Sequence, residues 1–352
     1  MRCELTYLRK LIHSNFSRLP FPHKISYALT YRCNLRCAMC NIWKKIPEKE
    51  LTLDEITAFF NNSNRFSWVG LTGGEPFLRD DITAIVKIVM DSCRELSAVH
   101  FATNGTLTDK ITSTTEDILR HKPRKTKLLF TLSIDGPKIL HDEIRGQQGT
   151  WERCIRTFKA LKNMHIPSLC VRIGFTLSHR NTEAFSETFQ SLKEVYPSLR
   201  FDDLSVNVFQ KSPFYYSNHQ MPDIDYTQIL KSIEKILAMD IDSFTLNNFL
   251  RRKYLRLYKW FIRHKKCPLR CQALSSTCLI DPQGDIYPCG AYNAKVANIC
   301  ETGYDLKKIW SLSHVKKLSR ECSKSVCPSC WSPCDAYSAI AGSLFNPRLW
   351  RI

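Results

Sequence analysis

Tyr31-Arg32-Cys33-Asn34-Leu35-Arg36-Cys37-Ala38-Met39-Cys40 decides the reading of this chain. Its CxxxCxxC spacing puts three thiolates within one loop's reach of a single centre. A cubane iron–sulfur cluster has four irons and takes thiolate as its usual ligand, so three cysteines leave one iron open. An electron-transfer cluster wants a fourth cysteine; a cluster that performs chemistry wants the open iron. Structural zinc is the competing reading, but zinc favours paired CxxC knuckles or Cys/His sets that close at four ligands. No histidine lies between Cys33 and Cys40.

Working outward, Thr72-Gly73-Gly74-Glu75-Pro76 follows a short apolar run, and Ala102-Thr103-Asn104-Gly105 and Ser133-Ile134-Asp135-Gly136 end two more. His141-Asp142-Glu143-Ile144-Arg145-Gly146 comes next. With the cysteine loop, these motifs in this order resemble the radical S-adenosylmethionine (SAM) superfamily, from about His23 onward. One departure is Met39 before the third cysteine, where an aromatic residue is usual; its polarizable side chain can still cover an adenine face.

Residues 23 to about 210 read as alternating strand and helix. Strands are expected at Ile25–Thr30, Trp68–Leu71, Val99–Ala102, Leu128–Ile134, Val171–Thr176 and Leu204–Val208. Helices are expected near Leu53–Phe60, Ile82–Met90, Asp109–Leu119, Trp151–Met164 and Thr182–Val195, the first opened by a Thr52/Glu55 capping box. Such alternation argues for an α/β fold with a parallel sheet and crossover helices. The resemblance implies a partial (β/α)6 TIM-like barrel, with the motifs at the C-terminal strand ends that carry the chemistry in barrels.

The resemblance also implies the cofactors and their residues. Cys33, Cys37 and Cys40 would hold a 4Fe-4S cluster whose open iron binds SAM. One electron would cleave SAM, and the 5′-deoxyadenosyl radical would abstract hydrogen from a substrate. Gly73 and Gly74 would let the backbone approach the SAM amino group, and Glu75 would accept from its ammonium. Ser133 and Asp135, with Asn104 nearby, would hold ribose hydroxyls. Arg145 or Arg172 would pair with the carboxylate; a plain turn at Asp135 and a surface ion pair at Arg145 are the alternatives.

Nine of the sixteen cysteines lie between Cys267 and Cys334. An Asp-Pro-Gln-Gly turn at 281–284 reads as a hairpin bringing Cys278 and Cys289 toward one another. The region is similar to the SPASM and twitch auxiliary-cluster modules. Because no cysteine follows Cys334, one auxiliary 4Fe-4S cluster is expected, held by Cys271, Cys289, Cys327 and Cys330, with Cys334 or Cys278 as replacement. Zinc held by the same residues stays open. The expected organisation is an arm at 1–22, the barrel at 23–210, a bridging helical segment at 211–266 and the cysteine-rich module at 267–352.

No signal peptide or membrane-spanning run is recognisable, so clustered cysteine points to metal in a reducing, cytoplasmic compartment. The net charge is +18, most concentrated at 251–266. There Leu250, Tyr254, Leu257, Tyr258 and Phe261 recur at helical spacing. This basic amphipathic helix either packs its aromatic stripe on the barrel or meets an anionic surface or polymer. Leu5, Leu8, Ile12, Phe16 and Leu19 repeat the pattern in the arm, again expected to pack.

The expected activity is therefore that of a radical SAM enzyme, oxidoreductase-like, fed by an electron donor such as a flavodoxin or ferredoxin. Its substrate would be small, carrier-linked or a peptide, the last making it a peptide maturase. The alternative from another class is a zinc-stapled nucleic-acid-binding protein.

Overall fold

The computed structural model describes residues 2–45, 49–121, 126–239 and 245–351. Six strands run parallel in chain order: β1 (Lys24–Thr30), β2 (Trp68–Gly73), β3 (Ala98–Thr103), β4 (Lys127–Ser133), β5 (Leu169–Leu177) and β6 (Leu204–Val208). Each is followed by connecting helix: α2 (Leu53–Asn62) after β1, α3 (Ile82–Ser92) after β2, α4 (Thr108–His121) after β3, α5 (Lys138–Arg145) and α6 (Thr150–Lys162) after β4, and α7 (Phe185–Val195) after β5. An N-terminal helix, α1 (Arg2–Phe16), precedes them, and α8 (Tyr226–Ala238) and α9 (Leu246–His264) follow β6. The Thr52/Glu55 capping box opens α2. Helix α5 starts three residues before the His141–Gly146 motif and overlaps it, too short for periodicity to announce it.

The strands sort their side chains between two faces. Ile25, Val69, Val99, Phe101, Leu128, Phe130, Val171, Ile173 and Val206 are buried against the helices, with Phe101 and Phe130 stacked at 4.7 Å. Lys24, Trp68, His100, Thr131, Arg172 and Ser205 occupy the other face and are half-buried. A period of two sorts apolar from polar side chains. Here the polar set lines a lumen, because the sheet does not close: β6 is one edge.

The other edge belongs to the tail. Strand β7 (Thr277–Ile280) adds parallel to β1, Lys24 opposite Thr277, and β8 (Asp285–Tyr287) and β9 (Ala297–Asn298) continue antiparallel. The expected turn forms at 281–284: Asp281 Oδ1 accepts from the main chain of Gln283 and Asp285, each at 2.9 Å, and Gly284 takes φ +87°. It does not bring Cys278 to Cys289, however. Cys278 pairs in register with Ile25 and is buried in the apolar core.

Helices α10 (Leu306–Ser311), α11 (Ser313–Ser323), α12 (Pro333–Gly342) and α13 (Pro347–Arg351) complete the chain. Helix α9 buries Tyr254, Leu257, Tyr258 and Phe261, so its aromatic stripe is core; Arg256, Arg263, Lys265 and Lys266 stay exposed. The arm behaves differently from its periodicity. Leu5, Leu8 and Phe16 are exposed, and α1 meets α12 instead through Leu11 and Asn15. Gly342 permits that crossing: a Cβ there would lie 2.3 Å from the Leu11 carbonyl. No described helix is long and apolar enough to cross a membrane.

Candidate active site

The cysteine loop leaves the C-terminal end of β1 and is fixed from three sides. From β2, the Gly74 amide donates to Thr30 O at 2.8 Å and the Glu75 amide to Arg32 O at 2.9 Å. Any Cβ at Gly73 or Gly74 would fall 2.2 or 2.1 Å from those carbonyl oxygens. The close backbone approach expected of these glycines is thus made to the loop itself. From β3, Asn104 donates to Asn34 Oδ1 at 2.8 Å, and Asn34 donates to Thr106 Oγ1 at 2.9 Å. From α5, Ile144 O accepts from the Ala38 amide at 2.7 Å, and Gly146 lies against Arg36 O. Segment 209–221 covers the far end, where Asn218 donates to Met39 O at 3.1 Å. Met39 itself is buried with Ile144 and Phe209.

These anchors hold Cys33, Cys37 and Cys40 on one loop, all half-buried, although their side chains are not grouped closely enough to hold a single ion. Burial pushes the Cys33 and Cys40 thiols up, to about 11 and about 12, against amide donation from Leu35 and Ile42. Those N–H groups and the Arg145 guanidinium, whose Nη1 is 3.8 Å from Cys37 Sγ, favour the thiolate. An all-sulfur donor set of this kind suits an iron–sulfur cluster.

Glu75 is fully buried. Its carboxylate accepts from Thr103 Oγ1 at 2.7 Å, the Asn104 amide at 2.8 Å and the Phe77 amide at 3.2 Å. Burial raises it to about 7 despite those donors. Asp135 and Arg145 meet as a buried ion pair, so Arg145 is no surface residue. Asp135 Oδ1 also accepts from the Thr176 amide at 2.7 Å, and the Asp135 amide donates to His141 Nδ1 at 3.1 Å. Burial drives His141 down to about 3, keeping it a neutral acceptor. Asp135 Oδ2 is the oxygen that meets Arg145 Nη2, while Arg145 Nε is buried without a hydrogen-bond partner. That unsatisfied polar edge beside the cysteine loop fits the amino-acid or ribose end of SAM. Ser133 ends β4 at the rim, half-buried. Arg172 is set deeper, opposite Thr131, away from the Asp135–Arg145 pair.

In the tail, Cys330 faces Cys289, with Cys271 and Cys267 in electrostatic reach. Cys267 Sγ also contacts Cys330 O at 3.0 Å. Cys327 faces Cys322, and Cys334 neighbours Cys289. These are pairwise neighbours: among the described residues, no three His, Cys, Asp or Glu side chains are grouped closely enough to hold a single ion. Cys267 and Cys322 escaped the sequence reading; their spacings, Cys267-x3-Cys271 and Cys322-x4-Cys327, were the available signal.

The radical SAM superfamily model matches residues 27–192. The AdoMet-dependent heme synthase of Methanosarcina barkeri is 26% identical, covering 92% of this chain and 94% of that protein. The antilisterial bacteriocin subtilosin biosynthesis protein AlbA of Bacillus subtilis is 24% identical, covering 90% and 67%. Among solved structures, Streptococcus suis SuiB bound to S-adenosylmethionine superposes with a TM-score of 0.59 at 19% identity, over 90% of this chain and 71% of that one. That likeness is one of fold, and the open parallel sheet agrees with a partial barrel. Nothing in this set favours a zinc-stapled nucleic-acid binder.

Proposed function

The chain is a radical SAM enzyme with a cysteine-rich tail of the SPASM or twitch kind, and from that premise we propose that it oxidises a small molecule held in the barrel lumen. When bound, the 4Fe-4S cluster and SAM supply a 5′-deoxyadenosyl radical that takes hydrogen from the substrate. Cys33, Cys37 and Cys40 hold the cluster. Arg145 orients SAM through the Nε it leaves unsatisfied, with Asp135 holding its guanidinium in place and Ser133 at the rim. Glu75 keeps one acceptor position free beyond its three donors, enough for the SAM ammonium. Asn104 acts indirectly by locking Asn34.

The observation that carries the proposal is the half-buried polar face of β1–β6, on the same strands whose C-terminal ends bear the cysteine loop and the Gly73–Glu75 and Ser133–Asp135 motifs. The relative that this chain matches nearly end to end is a heme synthase, which supports a small substrate over a large one. We assign the tail an auxiliary 4Fe-4S cluster, built from Cys271, Cys289 and Cys330 with Cys267, Cys327 or Cys334 closing the set. It would accept the electron left on the substrate, making the net reaction an oxidation. A flavodoxin or ferredoxin would supply the first electron. The likeness to a bacteriocin biosynthesis protein favours a second reading, a peptide substrate.

The test is hydrogen transfer. Reconstituted, reduced enzyme is given SAM and a deuterated candidate substrate, and deuterium in the 5′-deoxyadenosine is measured. Label from a small molecule supports the first reading, and label only from a peptide supports the second. Iron-loaded enzyme that makes no deoxyadenosine under any of these conditions would defeat both.

A further inference from the structure

The lumen carries more positive charge than its neighbours balance. Arg172 projects from β5 onto the lumen face, level with Thr131, and is half-buried; it makes no ion pair or hydrogen bond among the described residues. Arg251 reaches the same place from α9 and is 5% exposed. Its Nη1 donates to Phe201 O at 3.3 Å and Asp202 O at 2.6 Å, whereas its Nη2 is buried with no partner. The two guanidiniums feel one another, and the buried Tyr337 hydroxyl of α12 lies beside Ser205 within reach of both. Lys24 sits on the same face from β1. His100, bonded to Thr131, is neutral there and adds no charge.

Among the described acids, Asp202 alone lies in coulombic reach of Arg251, and none forms an ion pair with Arg172. Asp202 Oδ1 and Oδ2 are each 3.0 Å from Thr245 Oγ1, and it meets Arg251 through its main-chain carbonyl. Asp335 is buried, bonded to Thr277 at 2.6 Å and neighboured by Lys24. Two guanidiniums beside a single carboxylate leave an excess positive charge that is costly to desolvate. Such an arrangement is stable when an anion completes it.

We propose that Arg172, Arg251 and Tyr337 form an anion subsite in the lumen that anchors a carboxylate of the substrate. Two guanidinium forks and a phenol match a planar carboxylate. A phosphate site would draw on free backbone amides, but those of β5, which carries Arg172, are spent on β4 and β6. The assignment rests on reading the lumen as the substrate chamber. It deepens that reading by naming the substrate class: a small carboxylic acid, anchored level with Thr131, two residues or roughly 7 Å below the end of β4 at Ser133.

The test is protection of Arg172 from phenylglyoxal in the full-length protein, mapped by mass spectrometry, with citrate and inorganic phosphate as probes. Citrate is expected to protect Arg172 at a concentration at least tenfold lower than phosphate requires. In Arg251→Gln the citrate needed should rise at least tenfold. Tyr337→Phe, which keeps the ring in place, should raise it about threefold and covers the case of an Arg251 variant that does not fold. Absent protection, protection unchanged in the folded variants, or phosphate protecting at the lower concentration would each overturn the assignment. Labelling reads the guanidinium alone and needs no SAM cleavage, so a failure of the radical chemistry would leave this result standing.

Discussion

Arg145 and Asp135 share a buried ion pair, and the same guanidinium stands 3.8 Å from Cys37 Sγ. One side chain therefore joins the end of β4 to the cysteine loop. Breaking such a pair on one side leaves an uncompensated buried charge, which costs about 3–5 kcal/mol. Arg145→Ala is expected to lower stability by that order in urea unfolding. It should also weaken SAM binding, read as a loss of the SAM-induced change in the cluster's electron paramagnetic resonance signal. An unchanged signal would remove Arg145 from the SAM site.

Gly74→Ala tests the backbone approach between β2 and the loop. Its Cβ would stand 2.1 Å from Arg32 O, with main chain on both sides and no flexible side chain to yield. The expected cost is roughly 1–3 kcal/mol, with reduced iron loading of the first site. Full loading at wild-type stability would show that this contact is not needed.

Acid should weaken the fold through His141. The free histidine takes up its proton near 6.5, whereas the buried one waits until about 3. Below 6.5 the unfolded chain binds the extra proton, so stability is present above that value and falls as pH drops toward 3, by about 1.4 kcal/mol per pH unit at the limit. His141→Gln keeps an acceptor for the Asp135 amide without titrating. Between pH 7.5 and 5.5 the wild type should lose about 1 kcal/mol more than the variant; equal losses would contradict the neutral buried histidine.

Cys330→Ala should remove tail iron while sparing SAM cleavage. Cys330 faces Cys289 and neighbours Cys271 and Cys267, all of them tail cysteines. Iron analysis together with deoxyadenosine yield reads both sites at once. Loss of cleavage in step with iron would mean that the two sites do not load independently.

Much of this architecture is legible in the sequence, because period-two runs, a capping box and a three-cysteine loop are local signals. Six strands and the Thr52/Glu55 cap appear where their residues require. What stayed hidden depends on distant pairing. That β7 adds to β1, taking Cys278 into the core, follows from a register that no single segment encodes. Alternation reveals that Lys24, His100 and Arg172 avoid the apolar face, but only sheet order brings them to one lumen. Cys267 and Cys322 join the tail group because folding returns residue 330 to residue 267. The arm misled in part: Leu19 is buried as expected, but Leu5, Leu8 and Phe16 are exposed, and α1 packs instead through Tyr7 on Trp68 and through Leu11 and Asn15 against a glycine.

The most direct test compares wild type with the Cys33/Cys37/Cys40→Ala variant after anaerobic reconstitution, reduction and addition of SAM, counting iron and 5′-deoxyadenosine in both. The account predicts deoxyadenosine from wild type alone, with residual iron kept by the variant's tail. Equal deoxyadenosine from both proteins would contradict it.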